Sequence, residues 1–414
     1  MNILVVGRGG REHAIAWKLA QSPLATRIYV APGSDAMNLS HYTITSLAID
    51  ENDNEQLIKF ALTYNIRLVV IGPETALLNG LADDFAANGI RVFGPSKAAA
   101  LIEGSKQFAK ELMLKHKIPT AEYSIFDDYD NALAYVKQKG APIVIKYDGL
   151  AAGKGVVVAK NLEEAGQALA EMLRDKKFGN GKVVIEEFLE GPEFSLMALV
   201  NGEIVAPLAI AQDHKRAYND DLGPNTGGMG AYTPVPTISA ETVQIAVDTI
   251  MKPTVKALSN EKRPFTGILY GGLMLTADGP KVIEFNARFG DPETEVVLPR
   301  MKSDLLKHIL DILNDIEPQI EWHDDFFLGV VLASAGYPES STKGAEIRGL
   351  EKVENLIFHM GTKMEEEKWV TNGGRVLFVV GRGKTLETAQ LNAYSAVDQI
   401  DCDKLFFRSD IGNQ

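Results

Sequence analysis

The sequence predicts a multidomain protein of mixed α/β and α+β class: an N-terminal open parallel-sheet domain, a core of strands and hairpins, and a small C-terminal α/β domain. Three observations predict it. Strand-like and helix-like runs alternate over the first hundred residues or so, as in a parallel sheet covered by helices. From Ala121 the pattern changes to β-branched and aromatic runs joined by turn residues, as in hairpins. A length of 414 residues exceeds one ordinary core and implies about two to four domains.

The elements follow in order. Residues 3–6 are a short apolar run before a glycine turn, and 11–20 carry helical spacing through Ile15 and Leu19. Residues 27–31 read as a second strand, 57–64 as a helix, and 67–71 and 90–93 as further strands. The Gly94-Pro95-Ser96 turn leads out of a first domain spanning 1–100. Residues 97–117 read as one or two helices, ended by Ile118-Pro119. Strands at 143–146, 156–159 and 183–188, with a helix over 162–174, place a subdomain at about 121–190 inside a core of 101–320. Runs at 267–275 and 281–286 flank Asp278-Gly279, a good antiparallel hairpin signal. The acidic, Pro-containing stretch 315–325 reads as a linker. The last domain, 325–414, carries strands near 329–333 and 376–380 and a helix over 386–397.

Composition narrows the function. The chain is 45% hydrophobic and 23% charged, in the range of soluble globular proteins. A single cysteine, Cys402, excludes an internal disulfide and suits a reducing cytosol, so a cytoplasmic location is expected. No apolar run approaches the roughly 20 residues of a membrane span, and the N-terminus lacks a signal-peptide pattern. A formal charge of −13 argues against nucleic-acid binding, but a few local cations can still hold small anions.

Two glycine turns are candidate phosphate binders. Gly7-Arg8-Gly9-Gly10-Arg11-Glu12 lies between a strand and a helix, where backbone N–H groups can hold an anion. A dinucleotide fold is disfavoured: the third glycine is absent, and the second strand ends Tyr29-Val30-Ala31-Pro32 where an acidic residue should bind ribose. A tight turn without a ligand remains open. Asp148-Gly149-Leu150-Ala151-Ala152-Gly153-Lys154-Gly155-Val156 misses the P-loop spacing by one residue and joins two strands. That context describes a hairpin lid whose amides close over phosphates while Lys146 and Lys154 add charge. By itself it reads equally as a surface hairpin.

Lys281-Val282-Ile283-Glu284-Phe285-Asn286-Ala287-Arg288 carries the clearest chemistry. Strand alternation puts Glu284, Asn286 and Arg288 on one face and sends Ile283, Phe285 and Ala287 toward a core. A carboxylate and an amide oxygen two residues apart are hard ligands suited to magnesium. Asp213-His214-Lys215-Arg216 with the glycine-rich run Asn225-Thr226-Gly227-Gly228-Met229-Gly230 forms a third cluster able to hold a carboxylate or phosphate. His13 and His214 read as structural histidines.

Taken together, Gly9-Gly10-Arg11-Glu12-His13-Ala14, Gly72-Pro73-Glu74 and the runs 148–156, 212–216, 225–232, 284–293 and 371–376 resemble the ATP-grasp superfamily. Within it they resemble the glycinamide ribonucleotide synthetase family, in that family's order and across nearly the whole chain. The resemblance implies a two-subdomain ATP-grasp core and an ATP-dependent ligation of glycine to 5-phosphoribosylamine through a glycyl phosphate, in purine biosynthesis. Magnesium or manganese would be the metal, held by Glu284 and Asn286. Lys106, Lys146, Gly153, Lys154 and Gly155 would contact the ATP phosphates. Glu186, Glu187, Phe188 and Leu189 would line the adenine, and Glu193 would reach the ribose. Gly9, Gly10, Arg11, Glu12, Gly72, Pro73, Glu74, Asn372, Gly373, Gly374 and Arg375 would hold the phosphosugar. Asp213, Lys215, Arg216 and Arg288 would stand at the reacting centre. A monomer or weak dimer acting on small molecules is implied. Ser34-Asp35, Tyr147 and Glu295 depart from the family's usual residues.

Overall fold

The computed structural model of the chain describes residues 1–38, 42–149 and 155–413. The first sheet is all parallel, in the order Ile44–Ser46, Arg27–Pro32, Asn2–Gly7, Ile66–Ile71, Val92–Phe93. Its strands are near-continuous apolar runs because both faces are covered. Strand order reverses direction at Asn2–Gly7, so its carboxyl end and that of the adjacent Ile66–Ile71 open onto one crevice. This is why the Gly9-Gly10 turn and Gly72-Pro73-Glu74, distant in sequence, meet. The expected strand over 90–93 shrinks to Val92–Phe93, because the Ile90 N–H is used by the Phe85 carbonyl at the preceding helix end.

Two helices, Lys97–Gly104 and Lys106–His116, connect this domain to the core. They break at Ser105, whose hydroxyl accepts the Phe108 N–H and caps the second helix. One core sheet is antiparallel, in the order Tyr123–Phe126, Val183–Glu187, Ile143–Tyr147, Val156–Ala159. With the helices Tyr129–Lys139 and Leu162–Leu169 it closes its own apolar cluster around Ile145, Leu169 and Ile185, separate from the main core. The other sheet runs Ile204–Pro207, Glu193–Asn201, Thr266–Thr276, Gly279–Asn286.

In this second sheet one expectation fails. Gly272 pairs with Glu284 but Leu273 pairs with Val282, so Ile283 is the extra residue of a bulge. Val282, fully buried, takes the core position expected for Ile283, which turns to the cavity wall instead. Alternation resumes beyond it, with Phe285, Ala287 and Phe289 in the core.

The last sheet centres on Phe326–Ser334 and Arg375–Gly383 and also takes in Gln212–Asp213 and Gly230–Thr233 from the middle of the chain. The stretch 315–325 is pinned at its end: Met301 bridges Trp322, and Asp325 lies buried against Arg382 and Lys384. No helix among the described residues is long and apolar enough to cross a membrane.

Candidate active site

The three units enclose a cavity of about 580 Å³. A second cavity of about 580 Å³, between Trp17 and Arg382, holds none of the motif residues.

At one end the walls are apolar, from Ile102, Ala109, Met113, Val156 and Phe285. Here the Lys146 ammonium, on the strand Ile143–Tyr147, donates to the Ile283 carbonyl at 2.8 Å and lies 3.0 Å from the Glu186 carboxylate. Lys110 reaches Glu186 from the other side at 3.0 Å. All three are buried, and desolvation brings the Lys110 ammonium down to about 8. Lys106, one helical turn before Lys110, donates to the Gly149 carbonyl at 3.4 Å. The Asp148 carboxylate accepts from the Ser105 hydroxyl and the Gln107 N–H, which ties the base of the hairpin to the helix start. Gly155 lines the same end. Gly153 and Lys154 lie outside the described residues.

Midway, Glu284 and Asn286 project from the bulged strand into the cavity. The Asn286 side-chain oxygen accepts from Arg288 at 3.3 Å. Among the described residues, no hydrogen bond or ion pair occupies the Glu284 carboxylate, and no cluster of three His, Cys, Asp or Glu forms a closed metal site. An unpaired carboxylate beside an amide oxygen fits a hard divalent ion that keeps most of its coordination for phosphate and water.

Arg288 is held at 3.0 Å from Glu103 and 3.4 Å from Glu74. Burial alone would raise the Glu74 acid, but Arg288 and Arg11 overcome it and hold Glu74 down at about 2. Beside them Lys215 bridges Asp213 at 2.8 Å and Glu193 at 3.2 Å. Against the pull of burial, these carboxylates push the Lys215 ammonium well up, so it stays charged. Behind this pair, Glu293 accepts from the Tyr270 and Ser195 hydroxyls, all three buried.

At the far end stand Arg11 and Arg375. Arg375 pairs with Asp291 at 2.9 Å and donates to the Gly227 carbonyl at 2.8 Å. Gly374 leaves room there that the Tyr337 ring fills, since a Cβ on it would collide with that ring. Gly361 and Gly373 approach backbone to backbone, and the Asn372 N–H donates to the Gly361 carbonyl.

The structure thus brings Arg11, Glu74, Lys106, Lys146, Gly155, Glu186, Asp213, Lys215, Glu284, Asn286, Arg288, Gly374 and Arg375 around one cavity. Others stand elsewhere. Glu12 turns back to accept the Gly9 N–H at 2.7 Å and to pair with Arg11, a capping role. Gly9, Gly10, Gly72 and Pro73 shape that turn. The Arg216 guanidinium donates to the Gly223 carbonyl of its own hairpin. Glu187 and Phe188 are exposed, the former accepting the Glu122 N–H, and neither they nor Leu189 line the cavity. His214 accepts the Gly412 N–H, a structural contact as expected. Lys110, Glu103, Tyr270 and Glu293 were missed as site residues. Only Lys110 carried a signal, its four-residue spacing from Lys106 on one helix face.

Models of the phosphoribosylglycinamide synthetase N domain, ATP-grasp (A) domain and C domain match residues 1–103, 104–294 and 327–414. A phosphoribosylamine–glycine ligase from Halalkalibacterium halodurans is 57% identical over 418 aligned positions, covering 100% of this chain and 97% of that protein. The crystal structure of a phosphoribosylamine–glycine ligase from Thermotoga maritima matches with a TM-score of 0.87 and 34% identity, covering 99% of this chain and 100% of that one. The biotin carboxylase domain of a Hydrogenobacter thermophilus 2-oxoglutarate carboxylase, in complex with magnesium ADP and bicarbonate, shares the fold at 16% identity. Its TM-score is 0.72, with 98% of this chain and 91% of that one covered. The chain belongs to the phosphoribosylglycinamide synthetase family, whose three domains it carries in order.

Proposed function

We propose that the protein joins glycine to 5-phosphoribosylamine at the expense of ATP, giving glycinamide ribonucleotide, ADP and phosphate in purine biosynthesis. One observation carries this reading. A single cavity is apolar with buried lysines at one end, offers the unpaired Glu284 beside Asn286 at its middle, and ends on Arg11 and Arg375. That sequence of surfaces suits an adenine, a metal-bridged polyphosphate and a phosphosugar in turn.

The roles follow from chemistry. Lys106 and Lys146 offset phosphate charge as a glycine carboxylate oxygen attacks the γ-phosphorus and ADP departs. Glu284 and Asn286 would hold magnesium or manganese, which neutralises charge on the transferring phosphoryl group when bound. Arg288, fixed by two carboxylates, and the Asp213–Lys215 pair orient the reacting groups at the cavity's centre. The sugar amine then attacks the glycyl phosphate carbonyl, forming the amide and releasing phosphate. Arg11 and Arg375 bind the acceptor's phosphate, and exclusion of water protects the acyl phosphate. The described residues of one chain line the cavity with all three domains, which supports a working monomer or weak dimer, and the lone cysteine supports a cytoplasmic setting.

The test is ADP release from magnesium ATP, with glycine and phosphoribosylamine generated in place from ribose 5-phosphate and ammonia, omitting each in turn. Release that requires both glycine and the phosphosugar amine is expected. Release that ignores glycine overturns the substrate assignment.

A further inference from the structure

Glu295 is fully buried in the helix Thr294–Arg300, and neither carboxyl oxygen has a hydrogen-bond partner among the described residues. It stands where the three domains meet. A Cβ placed on Gly10 of the first domain would lie 2.7 Å from its Oε1 and 2.8 Å from Met360 of the last. The charged groups acting on it are Asp291, Arg375 and Arg11, and all three line the cavity. Of the strands packed on its helix, Gly230–Thr233 and Phe326–Ser334 carry no charged residue, and Arg375–Gly383 carries Arg375 and also Arg382, which is paired with Asp325. On the facing helix, Glu12 is turned to the Gly9 N–H, His13 to the last domain, and Lys18 to the Met301 carbonyl.

We propose that Glu295 is a positioning residue for the anionic end of the acceptor. Lying behind Arg11, Asp291 and Arg375, it sets how much positive potential those arginines present to a phosphate. The inference rests on the reading of this end as the phosphosugar site. Asp291 already balances Arg375 at 2.9 Å, and Glu12 already balances Arg11 at 2.6 Å. A further ionised carboxylate would draw on those same two arginines and would repel the phosphate. Burial first, and Asp291 second, push the Glu295 acid well up, which favours its neutral form and leaves the arginines their pull. Ionisation of Glu295 would lower acceptor affinity and leave the ATP end unaffected.

The experiment is calorimetric titration of the whole protein and of Glu295→Gln, a neutral isostere, with ribose 5-phosphate between pH 6.5 and 9.5. Thermal melting checks that both are folded. The Kd of the two proteins should agree at pH 6.5, and the wild-type value should then weaken relative to the variant by about tenfold at the alkaline end. Magnesium ATP should bind both equally throughout. Parallel profiles for ribose 5-phosphate overturn the role of Glu295, as does an equal divergence for magnesium ATP, which would mark a general structural effect. If neither protein binds ribose 5-phosphate at any pH, the phosphosugar assignment itself fails and takes this inference with it.

Discussion

The Glu103 carboxylate lies 3.0 Å from the Arg288 guanidinium, while its second oxygen accepts the Ala287 N–H at 2.7 Å. One side chain from the helix Lys97–Gly104 thus fixes two consecutive residues just past the strand Gly279–Asn286, which carries Glu284 and Asn286. Burial raises the Glu103 acid even with Arg288 beside it, which marks a contact made at some cost in desolvation.

Glu103→Gln should therefore weaken both the fold and the chemistry. Breaking one partner of a buried ion pair costs about 3 kcal/mol, and Glu74 compensates only in part. A lower denaturant midpoint and at least a tenfold loss of turnover are expected. Wild-type values in both assays would show that Glu103 anchors nothing.

Gly72→Ala tests the crevice between the two parallel strands. A Cβ there would overlap the Glu12 carboxyl, which caps the first helix through the Gly9 N–H. Loss of that cap costs about 1 kcal/mol and displaces Arg11 with it. Urea unfolding should show the drop, and acceptor KM should rise. An unchanged acceptor KM would separate the turn from the acceptor site.

Arg375→Ala should raise the KM for the phosphosugar amine by about ten- to a hundredfold, the value of a charged hydrogen bond. The KM for magnesium ATP should stay within about twofold, because the two ends of the cavity are held by different domains. An equal rise in both would assign Arg375 to general closure of the site.

Acid should loosen the last domain first. The His359 N–H donates to His13 Nδ1 at 3.1 Å, joining it to the first helix. Burial lowers His13 to about 4 and His359 to about 3. Both are neutral when folded but take up a proton when unfolded, at about 6.5. Their stability is therefore complete above about pH 6.5 and is lost as pH falls toward 4 and 3, by up to about 1.4 kcal/mol per histidine per unit. His359→Phe should make this slope shallower in urea melts between pH 7 and 4. An identical slope would place acid sensitivity elsewhere.

Much of the architecture was legible in local patterns. The helix Leu386–Val397 and the strand Val156–Ala159 fall on the expected residues, because periodicity and flanking turns are local signals. Ile283 was misassigned because a bulge depends on the partner strand, through the pairing of Gly272 with Glu284. The expected residues that line the cavity sit in unusual runs, such as Glu284-Phe285-Asn286-Ala287-Arg288. Glu103 and Tyr270 sit in ordinary helix and strand sequence, and only tertiary packing brings them to the cavity. Glu187, Phe188 and Arg216 show the converse. They belong to recognisable runs, yet Phe188 is exposed, Glu187 accepts the Glu122 N–H, and Arg216 donates within its own hairpin.

The most direct test follows the acyl group itself. Carbon-13 glycine, magnesium ATP and phosphoribosylamine would be incubated with the protein, and products read by mass spectrometry with ADP counted alongside. The account predicts one labelled glycinamide ribonucleotide for each ADP formed, and none when the phosphosugar amine is left out. ADP formed without label entering a phosphosugar product would contradict it.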